Sequence, residues 1–224
     1  MKKTLIVTLA LISLSNAELF TEKFDTGVVK SKINYVDGTR TDTAEGIKDG
    51  LEKVFYDTSE LAYTVNNKKN KRDGLMTWYD RDGNILEKIY FKNGKRDGNN
   101  KIFFANGKLR ITVTYVDDKK EGMEKYYFDD GKLASEVNYI NNRKDGIQKE
   151  YNQDGSINNE VTYKNGYKEG YKKWYDKNHK VTSKEFYKMD RPINIMKKVQ
   201  KKQPEITVDA LKGLNFNPND RKVK

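Results

Sequence analysis

Hydrophobic and polar positions recur along this chain with a period of 24 residues, and a glycine marks each period. Each glycine follows a basic and an acidic residue; counted from it, position +5 is always aromatic and position +11 always aliphatic. Position +15 is β-branched and position +17 aromatic in five of the six units. The six repeat-defining turn glycines are Gly50, Gly74, Gly98, Gly122, Gly146 and Gly170. A fixed period of this length indicates an array of small supersecondary units.

Two turn signals divide each unit into two short segments. The first is an Asx-Gly pair such as Asn106-Gly107, and the second is a pair such as Asn93-Gly94. These residues tolerate the positive φ of tight hairpin turns, so positions +1 to +6 and +11 to +17 are predicted strands. We therefore predict an all-β fold, an elongated antiparallel β-meander of stacked 24-residue β-hairpin repeats.

Side chains alternate across a strand, so positions +11, +15 and +17 are predicted to share one apolar face. Positions +12, +14 and +16 are largely polar, as in Arg110, Thr112 and Thr114. We expect one buried face and one wet face, which is usual for an antiparallel sheet.

The first 17 residues have the pattern of a secretory signal peptide. Lys2 and Lys3 precede an apolar stretch, and Ser15 and Ala17 supply small residues for cleavage. We expect a mature chain from Glu18, exported to the periplasm or cell envelope or secreted. The alternative is a membrane anchor, but a span needs about 20 apolar residues, and this stretch is shorter.

Composition sets the remaining boundaries. Residues 18–47 resemble a degenerate capping repeat, and residues 48–190 hold the six regular repeats. Residues 191–224 form a short basic tail that contains all three prolines. Asp190 and Pro192 suit the start of a helix there, and a second helix fits residues 207–212. The tail is interpreted as a cap on the last hairpin, as a basic amphipathic segment, or as a disordered segment.

The formal net charge of +11 favours anionic partners. Tail lysines would attract an anionic membrane lipid, and we name them as candidate membrane- or anion-binding residues: Lys197, Lys198, Lys201 and Lys202. Nucleic acid is not predicted as a partner, because export would separate the chain from it.

Catalytic and metal-binding chemistry has little support. The chain has no cysteine, and its only histidine, His179, replaces a turn glycine, so neither a His-based triad nor a His/Cys zinc site can form. Residues 80–84 resemble part of a calcium loop but coincide with the repeated turn. We predict no metal, no cofactor and no enzymatic activity. A carboxylate-based glycan hydrolase is the enzymatic alternative, although a meander offers no obvious cleft.

One set of residues is a candidate protein-binding site. Position +4 carries Trp78, Tyr126 and Trp174 in alternate units, with Lys125 and Lys173 beside two of them. Large aromatic residues on an otherwise polar face are typical of interfaces. The alternative is that sheet twist buries these aromatic residues in a second small core.

Residues 92–98 and 164–170, each followed by an aromatic strand, resemble MORN repeats, and the bacterial variant found in YwqK-type antitoxin proteins most of all. The standard repeat has a second glycine at position +2, where this chain has residues such as Glu52, Met76 and Glu124. The resemblance implies an elongated scaffold that binds proteins and sometimes lipids, and the antitoxin relatives imply neutralisation of a toxin by direct binding.

The expected function is an exported, non-enzymatic repeat scaffold that binds a protein partner along its sheet. An antitoxin-like or immunity-like role and peripheral binding of anionic lipid are the alternatives.

Overall fold

The computed structural model describes residues 17–36 and 46–193, which form strands joined by turns. None of the described residues forms a helix long and apolar enough to cross a membrane. The described strands are β1 (Ala17–Lys23), β2 (Val29–Val36), β3 (Lys48–Phe55), β4 (Leu61–Lys68), β5 (Lys71–Tyr79), β6 (Ile85–Lys92), β7 (Lys95–Arg96), β8 (Gly98–Phe103), β9 (Leu109–Val116), β10 (Lys119–Lys120), β11 (Gly122–Tyr127), β12 (Leu133–Ile140), β13 (Arg143–Lys144), β14 (Gly146–Tyr151), β15 (Ile157–Lys164), β16 (Tyr167–Tyr175), β17 (Val181–Lys188) and β18 (Arg191–Ile193).

The strands pair antiparallel in chain order and form one open sheet. The two-residue strands β7, β10 and β13 each stand one residue before a longer strand, which they extend at its beginning. In the unit of Gly98, β8 covers positions 0 to +5 and β9 covers positions +11 to +18. The prediction of an all-β meander of hairpin repeats is confirmed.

Each unit contains a β-bulge, which places some side chains on a different face from the predicted one. Tyr126 lies opposite Ser135, whereas Tyr127 lies opposite Leu133, so Ala134 has no partner of its own. Because of this shift, position +11 shares the face of position +5, and the prediction that it shares the face of +15 and +17 is wrong. All six units contain the same shift.

Most buried side chains lie on the face that carries positions +2, +4, +13, +15 and +17, and we call it the valine face. Its central valines are 0 to 6% exposed: Val65, Val113, Val137 and Val161. Polar residues are buried there as well, among them Asn100 and Glu124. Among the described residues the exceptions are Thr77 at position +3 and Ala62 at the bulge position +12, which are buried but do not belong to this face. The opposite face carries positions +1, +3, +5, +11, +14 and +16, and we call it the lysine face.

The acidic residue before each glycine connects one repeat to the next. Its carboxylate accepts a hydrogen bond from a backbone N–H 20 residues later. The N–H of Asn93 donates to Asp73 at 3.1 Å, and the N–H of Asn141 donates to Glu121 at 2.9 Å. These carboxylates therefore align successive turns along one side of the sheet.

The two ends differ from the regular units. Strands β1 and β2 form a hairpin that β2 attaches to β3. At the other end, the predicted helix start at Asp190 is wrong, because Asp190 lies in a turn with a φ of 62° and β18 follows it. The carboxylate of Asp190 accepts the N–H of Lys168 at 2.7 Å, which repeats the turn pattern of earlier units. Residues 1–16, 37–45 and 194–224 lie outside the described residues, and with them most of the predicted signal peptide and tail.

Candidate functional site

The three aromatic residues predicted to bind a partner lie on the valine face. Position +4 lies opposite position +13, as Tyr126 does opposite Ser135 and Trp174 does opposite Ser183. The bulge falls between +4 and +5, so it is +4 that shares the face of the buried valines. The prediction that these aromatic residues occupy an otherwise polar face is therefore wrong.

Contacts within the sheet occupy these aromatic side chains to different degrees. The ring of Trp78 lies 4.6 Å from that of Tyr63 on the neighbouring strand. The Lys172 ammonium lies 4.8 Å from the ring centre of Trp174. Tyr126 is 38% exposed and is the most open of the three. Trp78 thus fits the alternative prediction of a core contact.

The two lysines named with them point to the opposite side of the sheet. Lys125 and Lys173 occupy position +3, one residue before the aromatic position, and therefore lie on the lysine face. Lys125 pairs with Glu136 at 3.7 Å, and Lys173 pairs with Glu160 at 2.9 Å. The structure therefore does not bring the five predicted residues together.

On the lysine face, these two lysines belong to a continuous row of side chains that crosses the sheet. Each member is directly paired with the next one on the neighbouring strand. We call this set the lysine row: Thr21, Lys32, Lys53, Thr64, Thr77, Lys88, Lys101, Thr112, Lys125, Glu136, Lys149, Glu160, Lys173 and Lys184.

The lysine row has two electrostatically different halves. From Thr21 to Thr112 it contains four lysines and no carboxylate, and none of these lysines forms an ion pair with another described residue. From Lys125 to Lys184 the row contains two carboxylates, Glu136 and Glu160, each of which lies between two lysines. Burial raises the pKa of Glu160, but hydrogen bonds from Lys173 and Tyr175 outweigh it and lower that pKa. The second half therefore neutralises itself in part.

Exposed apolar side chains flank the lysine row on the side of position +1. They have exposed fractions between 37% and 48%: Leu19, Leu51, Tyr90, Met123, Ile147 and Tyr171. On the other flank lie the aromatic side chains of position +5. Apolar side chains left open on one face are a mark of interaction surfaces.

Polar side chains on the valine face are engaged with one another. Glu124 is 2% exposed and accepts a hydrogen bond from Lys120, whose ammonium lies 4.9 Å from the ring centre of Tyr139. Burial, followed by the nearby Glu124 carboxylate, raises the pKa of Tyr139. The buried Glu52 accepts from Asn67 at 2.8 Å and from Lys48 at 3.2 Å. Within the described residues no buried side-chain nitrogen or oxygen lacks a partner, so this face is internally satisfied.

The predicted calcium-loop fragment and the lone histidine are parts of turns. Asp80 accepts hydrogen bonds from the backbone of Asp82 and Asn84 at 3.0 and 2.8 Å, and from the Asn84 amide at 3.0 Å. These bonds, that of the Asn84 side chain first, lower the pKa of Asp80. His179 has a φ of 59° and donates its N–H to the Asp176 carbonyl at 3.0 Å. No group of three His, Cys, Asp or Glu residues in the described ranges is placed to hold a metal ion.

As binding candidates, sequence reasoning named only two members of the lysine row, Lys125 and Lys173. The available signal was position +3, which is lysine in five of six units: Lys53, Lys101, Lys125, Lys149 and Lys173. The row as a whole depends on pairing across the strands, which places position +14 between successive +3 residues. The candidate tail lysines Lys197, Lys198, Lys201 and Lys202 lie outside the described residues.

A pH-dependent prediction arises at Glu136. The Tyr151 hydroxyl donates to Glu136 at 2.8 Å, and burial together with this carboxylate raises the pKa of Tyr151 to about 12. The tyrosine pKa is about 10 in an unfolded chain, so the contribution is complete below pH 10 and is lost as the pH rises towards 12. We expect Tyr151→Phe to be less stable by about 1 kcal/mol near pH 8. Urea unfolding at about pH 8, 10 and 11.5 should show this difference shrinking, and a constant difference would contradict the assignment.

Comparisons with known proteins come from three sources. No curated protein matches this chain significantly. Among solved structures, a chain of the "Crystal structure of GtfA/B complex bound to UDP and GlcNAc" is similar over 62% of this chain and 28% of that chain, with 13% sequence identity and a TM-score of 0.23. This chain thus spans less than a third of that chain's length, and so low a TM-score indicates neither a shared fold nor a shared function.

The family comparison matches the repeats themselves. The model of the MORN repeat variant matches four consecutive segments, residues 72–93, 96–117, 120–141 and 144–165. Each segment begins with the basic residue two positions before a repeat glycine and ends in the second turn, so the matches follow the structural period. Residues 72–165 are thus four tandem repeats of the MORN variant type, and these repeats make the chain a repeat scaffold.

Proposed function

We propose that this chain is an exported, non-enzymatic scaffold that binds a protein partner on the lysine face of its sheet. The observation that carries the proposal is the flank of the lysine row, where apolar side chains such as Met123 and Ile147 are 40 and 48% exposed. A partner that covers these side chains would remove apolar surface from water, which is the main favourable term in protein association.

The valine face supports binding less well. Its valines are almost fully buried, and its carboxylates and amides bond to one another. A partner there would have to compete with existing contacts, whereas the apolar side chains of the lysine face have no comparable cover. Tyr126 is the exception on the valine face, so the experiment must compare the two faces.

Export and the kind of partner are parts of this proposal. The residue pattern of the first 17 positions supports export. Neutralisation of an exported toxin by direct binding is one form that such a scaffold function would take. Attraction of the basic tail to anionic lipid is the alternative, worth about 1 kcal/mol for each lysine or arginine near the membrane surface.

The test is capture of a partner from the envelope fraction of the native organism by the mature chain. The double variant Met123→Asp/Ile147→Asp places charge on the lysine face at two exposed positions. The control Trp78→Ala/Trp174→Ala removes the two tryptophans of the valine face. We expect one dominant protein to be captured by the wild type and by the tryptophan variant, and to be lost with the aspartate variant.

Other outcomes have definite meanings. Loss of capture only with the tryptophan variant would move the site to the valine face. Capture of no protein, together with vesicle binding that disappears when residues 194–224 are deleted, would refute the protein scaffold and support the lipid alternative. Thermal unfolding of each variant should be measured, since only folded variants test the interface.

A further inference from the structure

The uncompensated half of the lysine row indicates the chemistry of the partner. We propose that the segment bound here is an extended acidic peptide that lies along the row, across strands β2 to β9. This inference rests on the proposed function, since it specifies the partner of the same face. Its recognition residues are Lys32, Lys53, Lys88 and Lys101.

Charge complementarity is the first argument. These four lysines are not neutralised from within the lysine face, because every residue of the row from Thr21 to Thr112 is a threonine or a lysine. Directly paired lysines occur twice in this half of the row, at Lys32–Lys53 and at Lys88–Lys101. Like charges opposite each other are unfavourable, so a bound carboxylate between each pair would relieve a repulsion as well as form an attraction. By contrast, Lys173 in the second half already holds Glu160 at 2.9 Å.

The spacing of the lysine pairs fits an extended chain. Neighbouring strands are about 4.8 Å apart, so the three strand steps from Lys53 to Lys88 span about 14 Å. An extended peptide rises about 3.4 Å per residue, so four residues cover about the same distance. Two acidic residues four positions apart in the peptide would therefore face Lys53 and Lys88. A second acidic residue two positions further out on each side would face Lys32 and Lys101, and all four acidic side chains would lie on one face of the peptide.

The surroundings of the row fit a peptide better than other anions. Near Lys32 and Lys53 the surface has a depression that Leu19, Asn34 and Leu51 also line. Such a depression gives a peptide both an apolar contact and an amide to hydrogen-bond. Apolar and aromatic residues lie along both sides of the row, at positions +1 and +5, and give a peptide apolar contacts beside the charged ones. Thr64, which lies between the pairs and is partly exposed, supplies a hydroxyl group for a peptide backbone.

The test uses the full chain and a fluorescein-labelled peptide, Glu-Ser-Glu-Ser-Thr-Ser-Glu-Ser-Glu, with binding followed by fluorescence anisotropy. The double variant Lys53→Gln/Lys88→Gln removes one lysine from each pair. The matched control Lys125→Gln/Lys173→Gln removes the same charge from lysines that already have carboxylate partners. We expect the first variant to weaken binding by about tenfold or more, and the control by less than about twofold. Binding should also weaken steeply as salt is raised.

Several results would overturn the inference. The first is an equal loss of peptide affinity in the two double variants. The second is equal affinity for a peptide with glutamine in place of glutamate. The third is binding of phosphatidylglycerol vesicles or oligothymidine through Lys53 and Lys88 without binding of the peptide. The proposed function fails separately. If face-dependent capture of a protein persists in Lys53→Gln/Lys88→Gln, the scaffold function stands and the acidic segment is rejected.

Discussion

Replacing Met76 by alanine is expected to lower the free energy of unfolding by about 2–5 kcal/mol. Met76 is fully buried on the valine face and lies between Val65 of β4 and Ile89 of β6. Truncation removes apolar contacts on both sides and leaves a space that the sheet cannot close without moving neighbouring strands. Urea unfolding followed by circular dichroism measures the loss.

Met123 provides the matched control because it undergoes the same chemical change on the other face. It occupies position +1 rather than +2 and is 40% exposed. Met123→Ala should change the free energy of unfolding by less than about 0.5 kcal/mol. If the two variants lose similar stability, the assignment of the buried face to position +2 is contradicted.

The period and the turn residues were enough to predict the fold. Glycine and Asx residues at fixed spacing locate both turns of each unit, and local conformational preference decides such positions. Strand β8 begins at Gly98 and ends at Phe103, within a residue of the predicted bounds. The acidic residue before each glycine is part of the 24-residue pattern, and the structure shows its partner in the backbone of the next turn.

The faces of the sheet were harder to predict, because they depend on pairing between strands. A bulge adds one residue to a strand without changing the period, so Leu133 and Val137 still read as one alternating pattern in the sequence. The residue that reveals the shift is Tyr127, which pairs with Leu133 while its neighbour Tyr126 pairs with Ser135. The predicted site also combined Trp174 with Lys173, which are neighbours in one strand and therefore lie on opposite faces.

The two faces of this single-layer sheet differ in burial and in the satisfaction of their polar groups. The valine face buries its apolar side chains between neighbouring strands and satisfies buried polar groups such as Glu124 with lysines and tyrosines of the same face. The lysine face retains exposed apolar side chains and, in the first half of the lysine row, lysines that form no ion pair with another described residue. The core and the proposed binding surface thus lie on opposite sides, so substitutions at exposed positions of the lysine face test the proposed binding with little change in folding.

Gly98 and Gly107, one from each glycine position of the repeat, are expected to differ strongly in their tolerance of a side chain. Gly98, at position 0, has a φ of 129°, and a Cβ there would lie 2.9 Å from the Cβ of Tyr90. Gly107, at position +9, has a φ of 78° and no atom within 4 Å of such a Cβ. Non-glycine residues already occupy position +9 in this chain, as Ser59 does with a φ of 86°.

Gly98→Ala should therefore lower the free energy of unfolding by about 3 kcal/mol or more, because backbone strain and a contact with a neighbouring strand act together. Gly107→Ala should cost only about 1 kcal/mol, from the left-handed conformation alone. Thermal and urea unfolding of both variants would measure the difference. Equal losses would mean that both glycines serve only the turns. A much larger loss at Gly98 would show that this glycine also permits the close approach of β8 to Tyr90 of β6.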